Sequence, residues 1–231
     1  NDFRHDHSFS IPNPLRAQTL GTPDACLSCH QSVAGNKIIE QFKLWTGDRP
    51  DQASRYDESL SLIRGGQVGA AQALYEQLQR SNLPAIQRAT LLAELPAYPS
   101  AQALRLVTKD LNNPAPHVRE SAIRAVSALM PEAQRLALLS PRLDDPVRAV
   151  RIAAARALPG AANGGLGASQ PSWNTAIGEY EAVQLSLMER AEANLNLAML
   201  YQASGRNADV EPRLRAALQR DPDFFPALVT L

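Results

Sequence analysis

Cysteine is scarce here. The 231 residues hold two, Cys26 and Cys29, with no second pair elsewhere. A four-ligand zinc site is therefore short of partners, since only His5, His7 and His30 lie near the two thiols in sequence. Net charge is also lacking: Lys and Arg total 23, Asp and Glu total 23, and no Lys/Arg run compensates. No overall field draws this chain to nucleic acid. No apolar stretch approaches the ~18 uninterrupted residues of a membrane span, and the start, Asn1 to Ser10, is polar rather than signal-like. Strand signals are nearly absent. What is present is 45% hydrophobic residues, enough for a sizeable core, and beyond Tyr56 an excess of Ala, Leu, Gln and Arg that belongs to consecutive short helices.

Up to about Pro50 no period is sustained, so this segment is expected to be loop-rich, wrapped around something. Its exception is Asn36 to Thr46, where Ile38, Ile39, Phe42 and Trp45 fall on one helical face. Further on, a shift of 32 residues lays Leu111, Pro114, Val118, Arg119, Ala122, Arg124 and Ala125 onto Leu143, Pro146, Val150, Arg151, Ala154, Arg156 and Ala157. A weaker earlier copy aligns Pro84 with Pro116 and Ile86 with Val118, so about three helix pairs fit between Tyr56 and Leu158. Proline at a helix start, then Val-Arg and an Ala/Leu face, resembles HEAT repeats. The Gly-rich run between Pro159 and Pro171 is expected to be a flexible connection. After it the period becomes 34, aligning Ala182 with Ala216, Ala193 with Ala227 and Leu197 with Leu231, and 34 is the tetratricopeptide length. Ala193, Leu197 and Tyr201 would line a first helix, Gly205 would make the turn, Leu214 and Ala217 would line a second, and Asp221-Pro222 would close it. Pro212 fits if Asp209 is the N-cap, because it then occupies the first turn.

The chemical signal lies at Cys26-Leu27-Ser28-Cys29-His30, the attachment signature of c-type haem. Two thiols three residues apart can both reach the vinyl groups on one porphyrin edge, and the adjacent imidazole then lies under the iron as proximal ligand. The competing readings are a Cys26–Cys29 disulfide, half of a zinc site, and a thioredoxin-like pair, the last without the βαβ pattern it needs. For the distal iron position, Met130, Met188 and Met199 lie in the repeats, where methionine is usually core filler, whereas His5 and His7 lie in the haem-bearing segment. Bis-histidine ligation would give a low potential and no open position, favouring electron transfer over catalysis. Phe9, Phe42 and Trp45 are candidates for macrocycle packing or for ordinary core. Gly21-Thr22-Pro23-Asp24 forms a turn ahead of the motif, His117 is a solvated residue at a helix start, and Asp144 and Asp145 beside Pro146 are explained by capping.

The string Asp6-His7-Ser8-Phe9-Ser10-Ile11-Pro12-Asn13-Pro14, followed by Leu20-Gly21-Thr22-Pro23-Asp24-Ala25 and the haem motif, resembles multihaem cytochromes c fused to HEAT-like and tetratricopeptide repeats. The resemblance implies that His7 is the first candidate for a distal ligand, with His5 second. In that family the Asp-His-Ser-Phe string follows earlier Cys-x-x-Cys-His motifs, and none precedes it here.

The expectation is an all-α chain. Residues 1–50 form a haem-binding segment, 51–160 HEAT-like repeats, 161–172 a flexible linker and 173–231 tetratricopeptide repeats, the repeats building a right-handed solenoid. Function follows as electron transfer by a covalent haem c, with the repeat surface docking a redox partner protein or a peptide. The alternatives are a non-redox interaction scaffold and the C-terminal part of a multihaem oxidoreductase. A first residue other than Met and a last one inside a helical pattern suit a piece of a longer protein with its targeting signal upstream. Haem attachment implies a periplasmic or extracellular location, and protein made in a reducing cytoplasm would fold without haem.

Overall fold

A computed structural model describes residues 12–47, 52–158 and 165–231 of the chain. Among them every regular element is helical, and no strand is present. In order these are α1 (Pro14–Leu20), α2 (Ala25–Cys29), α3 (Gly35–Thr46), α4 (Gln52–Arg64), α5 (Ala70–Gln79), α6 (Ala85–Glu94), α7 (Ala101–Asp110), α8 (Pro116–Leu129), α9 (Glu132–Leu139), α10 (Arg148–Arg156), α11 (Gln170–Leu185), α12 (Ala191–Ala203), α13 (Val210–Arg220) and α14 (Phe225–Leu228). The fold is an all-α stack of helical repeats. It divides into two compact units, residues 1–77 and 78–231, so α4 groups with the N-terminal segment rather than with the repeats expected from residue 51.

The N-terminal unit holds more helix than its irregular composition announces. Asn13 caps α1 by accepting from the Arg16 N–H, Pro14 supplies a preset first helical residue, and Gly21 closes the helix at φ +68°, a conformation that favours glycine. Asp24 then starts α2. The segment is therefore a set of short capped helices with tight turns between them, because local side-chain caps substitute for the long apolar periods that sequence patterns detect. The helix α3 runs where the Ile38–Trp45 face predicts it.

In the C-terminal unit, α6 and α7 pack on α8, α8 on α10, α10 on α11, α11 on α12, and α12 on α13. The 32-residue equivalence holds residue by residue. Leu111 and Leu143, Val118 and Val150, Ala122 and Ala154, and Ala125 and Ala157 are buried in pairs. The earlier copy is displaced by one. Ile86, aligned with buried Val118, is 68% exposed, whereas Leu91, Leu92 and Leu95 are fully buried, as are Ala122, Ile123 and Val126. The slip arises at the helix start: Pro84 is the N-cap of α6, while Pro116 is the first residue inside α8.

A ladder of arginines joins successive repeats. Arg88 donates to Asp110 at 2.9 Å, Arg119 grips Asp145 with two bonds of 2.7 Å, and Arg151 engages Glu179. Each arginine also binds a turn carbonyl: Arg88 that of Arg80, Arg119 those of Asn113 and Pro114, Arg151 that of Asp145. Asn113 and Asp145 are equivalent positions, and each accepts from the backbone N–H two residues on. Where the first of them is Asn, the charge comes from Asp110, which accepts from the Asn113 amide.

The stretch 161–172, expected as a flexible connection, is helical from Gly167 on, and α11 packs directly on α10. Trp173, 6% exposed, donates its indole N–H to the carbonyls of Ala155 and Leu158, at 3.1 Å each. Ala155 lies in the last turn of α10 and Leu158 just beyond it, so the indole fastens the two elements at the end of that helix. The following hairpin matches its expected pattern: Ala193, Leu197, Tyr201, Leu214 and Ala217 are buried, and Gly205 takes φ +73°. Pro212 lies in the first turn of α13 with Asp209 as N-cap residue, although the Asp209 carboxylate bonds to Arg206 rather than to the helix.

Candidate functional site

The cysteine motif forms a helix rather than a loop. Asp24 Oδ1 accepts from the N–H groups of Cys26, at 2.9 Å, and Leu27, at 3.2 Å, while Oδ2 accepts from the Asn13 N–H at 3.0 Å. One carboxylate thus caps α2 and ties it to the start of α1. Leu27 points back to the start of α3, where its Cδ2 lies 3.6 Å from the place a Gly35 Cβ would take. Three residues apart on one helix, Cys26 and Cys29 share a face, with Cys29 exposed, Cys26 half-buried and neither in a disulfide. His30, the C-cap residue, is exposed and its N–H bonds to the Cys26 carbonyl.

Burial, and then the neighbouring Asp24 charge, raise the Cys26 thiol above its ordinary pKa. A redox-active Cys-x-x-Cys pair draws on a thiolate stabilised at a helix N-terminus; here the capping carboxylate opposes that effect. Among the described residues no three His, Cys, Asp or Glu side chains gather closely enough to hold a metal ion. The donors present for a covalent haem are one half-buried and one exposed thiol on a single helical face, followed by an exposed imidazole. His5 and His7 lie outside the described residues. Trp45, expected on the apolar face of α3, is 76% exposed, and Ile39 supplies the buried contact of that helix. The Asp24 cap was readable as an Asp just before a short helix, but the preceding Gly-Thr-Pro run masks it as turn chemistry.

The second candidate site lies in the repeat unit. Two adjoining hollows cross α8, α10, α11 and α12, sharing Arg156 and Tyr180. Each helix contributes one stripe at three- or four-residue spacing, as Glu120, Arg124 and Ser127 do from α8. The floor includes buried Trp173 and Tyr180, with Gln184 accepting from the Asn196 amide at 3.0 Å across α11 and α12. Met199, expected as core filler, is instead 56% exposed at its edge. Arg124 and Arg156 are repeat-equivalent positions. Both are exposed, whereas the equivalent pair Arg119 and Arg151 turns inward to the ladder. No sequence expectation singles out this surface, and a repeated arginine that the core does not use is the signal that could have found it. His117 is exposed at the start of α8 as expected, and Asp145 does more than cap, since it also holds Arg119.

Among the described residues no helix is long and apolar enough to cross a membrane. No curated protein matches the sequence. One family does: over residues 71–159 the chain is similar to HEAT repeats.

Proposed function

We propose that this chain is a protein-docking scaffold whose working surface is the groove across α8, α10, α11 and α12. The observation that carries this reading is the exposure of apolar and arginine side chains, Met199 and Arg156 among them, on a surface backed by a fully buried repeat core. Stacked repeats present such stripes without spending side chains on chemistry. Site-specific photo-crosslinking tests it in the full chain expressed in its own host. A photoreactive residue at Met199 should give a discrete protein adduct, and one at His117 should not. Absence of adducts at Met199 would contradict the reading.

A second reading adds a cofactor, and the motif helix α2 favours it. Cys26 and Cys29 would form thioethers to a haem c, His30 would be the proximal iron ligand, His7 the first distal candidate and His5 the second. When bound, such a haem supplies one-electron transfer to a redox partner. The chain's own part is to present two thiols on one helical face, hold that face through the Asp24 cap, and leave His30 accessible. Attachment would place the protein in the periplasm or outside the cell. Export through a periplasmic haem-attachment system should give a Soret band and a covalent mass increase. If haem is bound, His7→Ala should turn a low-spin spectrum high-spin while His5→Ala leaves it low-spin; the reverse would reassign the ligand.

A further inference from the structure

We infer that the groove across α8 to α12 takes an acidic peptide segment bearing an apolar anchor. The inference rests on the docking reading above and adds the chemistry of the occupant.

Charge is the first argument. The two hollows are lined by three arginines, Arg124, Arg148 and Arg156, and by one acid, Glu120. Glu120 is already committed to Arg124 as an ion pair within α8. Arg148 donates to the Glu179 backbone carbonyl at 2.9 Å, and Arg156 lies over the Tyr180 ring, 4.8 Å from its centre. Neither has a carboxylate partner among the described residues. A carbonyl and a ring face hold a guanidinium in place but leave its charge uncompensated. Two oriented cations therefore flank the groove with their countercharge missing.

Apolar surface is the second. Beyond Arg156 the hollow is walled by Ile177, Leu200 and the exposed Met199, with only Asn196 and Ser204 as polar side chains on that wall. Methionine at an exposed rim adapts to varied apolar side chains. The groove thus offers cations at one end and an apolar recess at the other, with Arg156 and Tyr180 shared between them. A carboxylate-bearing segment with a Leu, Met or Phe anchor satisfies both. A polyphosphate chain satisfies the cations but leaves the apolar recess empty.

The test uses the full chain and short fluorescein-labelled peptides with Leu and Phe at the same positions and Glu, Ser or Lys at the others, with oligouridine as a further arm. Anisotropy should show the Glu peptide binding most tightly and weakening as salt rises. An Arg148→Glu, Arg156→Glu double variant should weaken it by about tenfold or more, and Arg220→Glu, at an exposed position ending α13, should leave it unchanged. Both variants alter exposed side chains, and an unchanged melting curve for each shows that binding, not folding, is read. Tightest binding of the Ser or Lys peptide would overturn the acidic assignment while leaving docking intact. Tightest binding of oligouridine would overturn it in favour of nucleic acid. If no peptide binds and Met199 gives no crosslink, both this inference and the docking reading fail.

Discussion

At the scale of single residues, buried charge is the feature with the sharpest consequences. Arg119 and Asp145 are both buried and joined by two short bonds, and the second carboxylate oxygen that holds Arg119 also accepts from the Val147 N–H. Removing one partner strands the other, so Arg119→Ala should cost about 3 kcal/mol of unfolding free energy in urea titration. Arg119→Lys should recover little, because an ammonium cannot reproduce the fork. For Asp145, burial opposes ionisation, but the Arg119 bonds, the Val147 N–H and the nearby arginine charges outweigh it and hold the carboxyl below its usual range. A carboxyl depressed in the folded state stabilises fully above its unfolded pKa, and that stabilisation is lost as pH falls through the lower folded value. Unfolding measured across acidic pH should therefore steepen below about pH 4 in the parent and flatten in Asp145→Asn. In the N-terminal unit, Asp24→Ala orphans the N–H groups of Cys26, Leu27 and Asn13. Loss of the cap should cost about 1 kcal/mol, seen as faster amide exchange at Cys26 and Leu27.

Among elements, α10 and α11 are joined where composition suggests separation. The Trp173 indole bonds the carbonyls of Ala155, in the last turn of α10, and of Leu158 just beyond it, so Trp173→Phe loses the N–H and part of the ring volume and should cost about 1–2 kcal/mol, while Trp173→Ala opens a larger cavity and should cost about 3–5 kcal/mol. Thermal unfolding that stays a single transition in the parent and becomes two in Trp173→Ala would show that this indole couples the elements on either side. The same junction explains what the sequence makes legible. Leu143, Val150 and Ala154 repeat at a fixed interval because each repeat buries the same face, so pattern alone exposes them. The indole bond of Trp173 occurs once, and the Asp24 cap is a local substitute for periodicity; neither leaves a repeat. The slip of Ile86 against Val118 has a third cause, since prolines at N-cap and at the first helical position look alike in sequence. The spacing of Cys26, Cys29 and His30 is visible in the sequence, but the helix that presents them is not, because five residues carry too little periodic signal.

For the whole molecule, chemistry and repeats fall in different compact units: the cysteine motif lies within residues 1–77, and the ladder and groove within 78–231. We propose that these are separable functions: a docking scaffold whose fold does not depend on the attachment motif, and a motif that takes haem when the machinery is present. The direct measurement compares the parent with Cys26→Ala, Cys29→Ala, both exported through a periplasmic haem-attachment system, by intact mass and by helical melting followed with circular dichroism. A covalent mass gain and a Soret band are expected in the parent alone, with the melt of the repeat helices preserved in both. A parent that stays at its bare polypeptide mass, or collapse of the helical melt in the cysteine variant, would overturn the proposal.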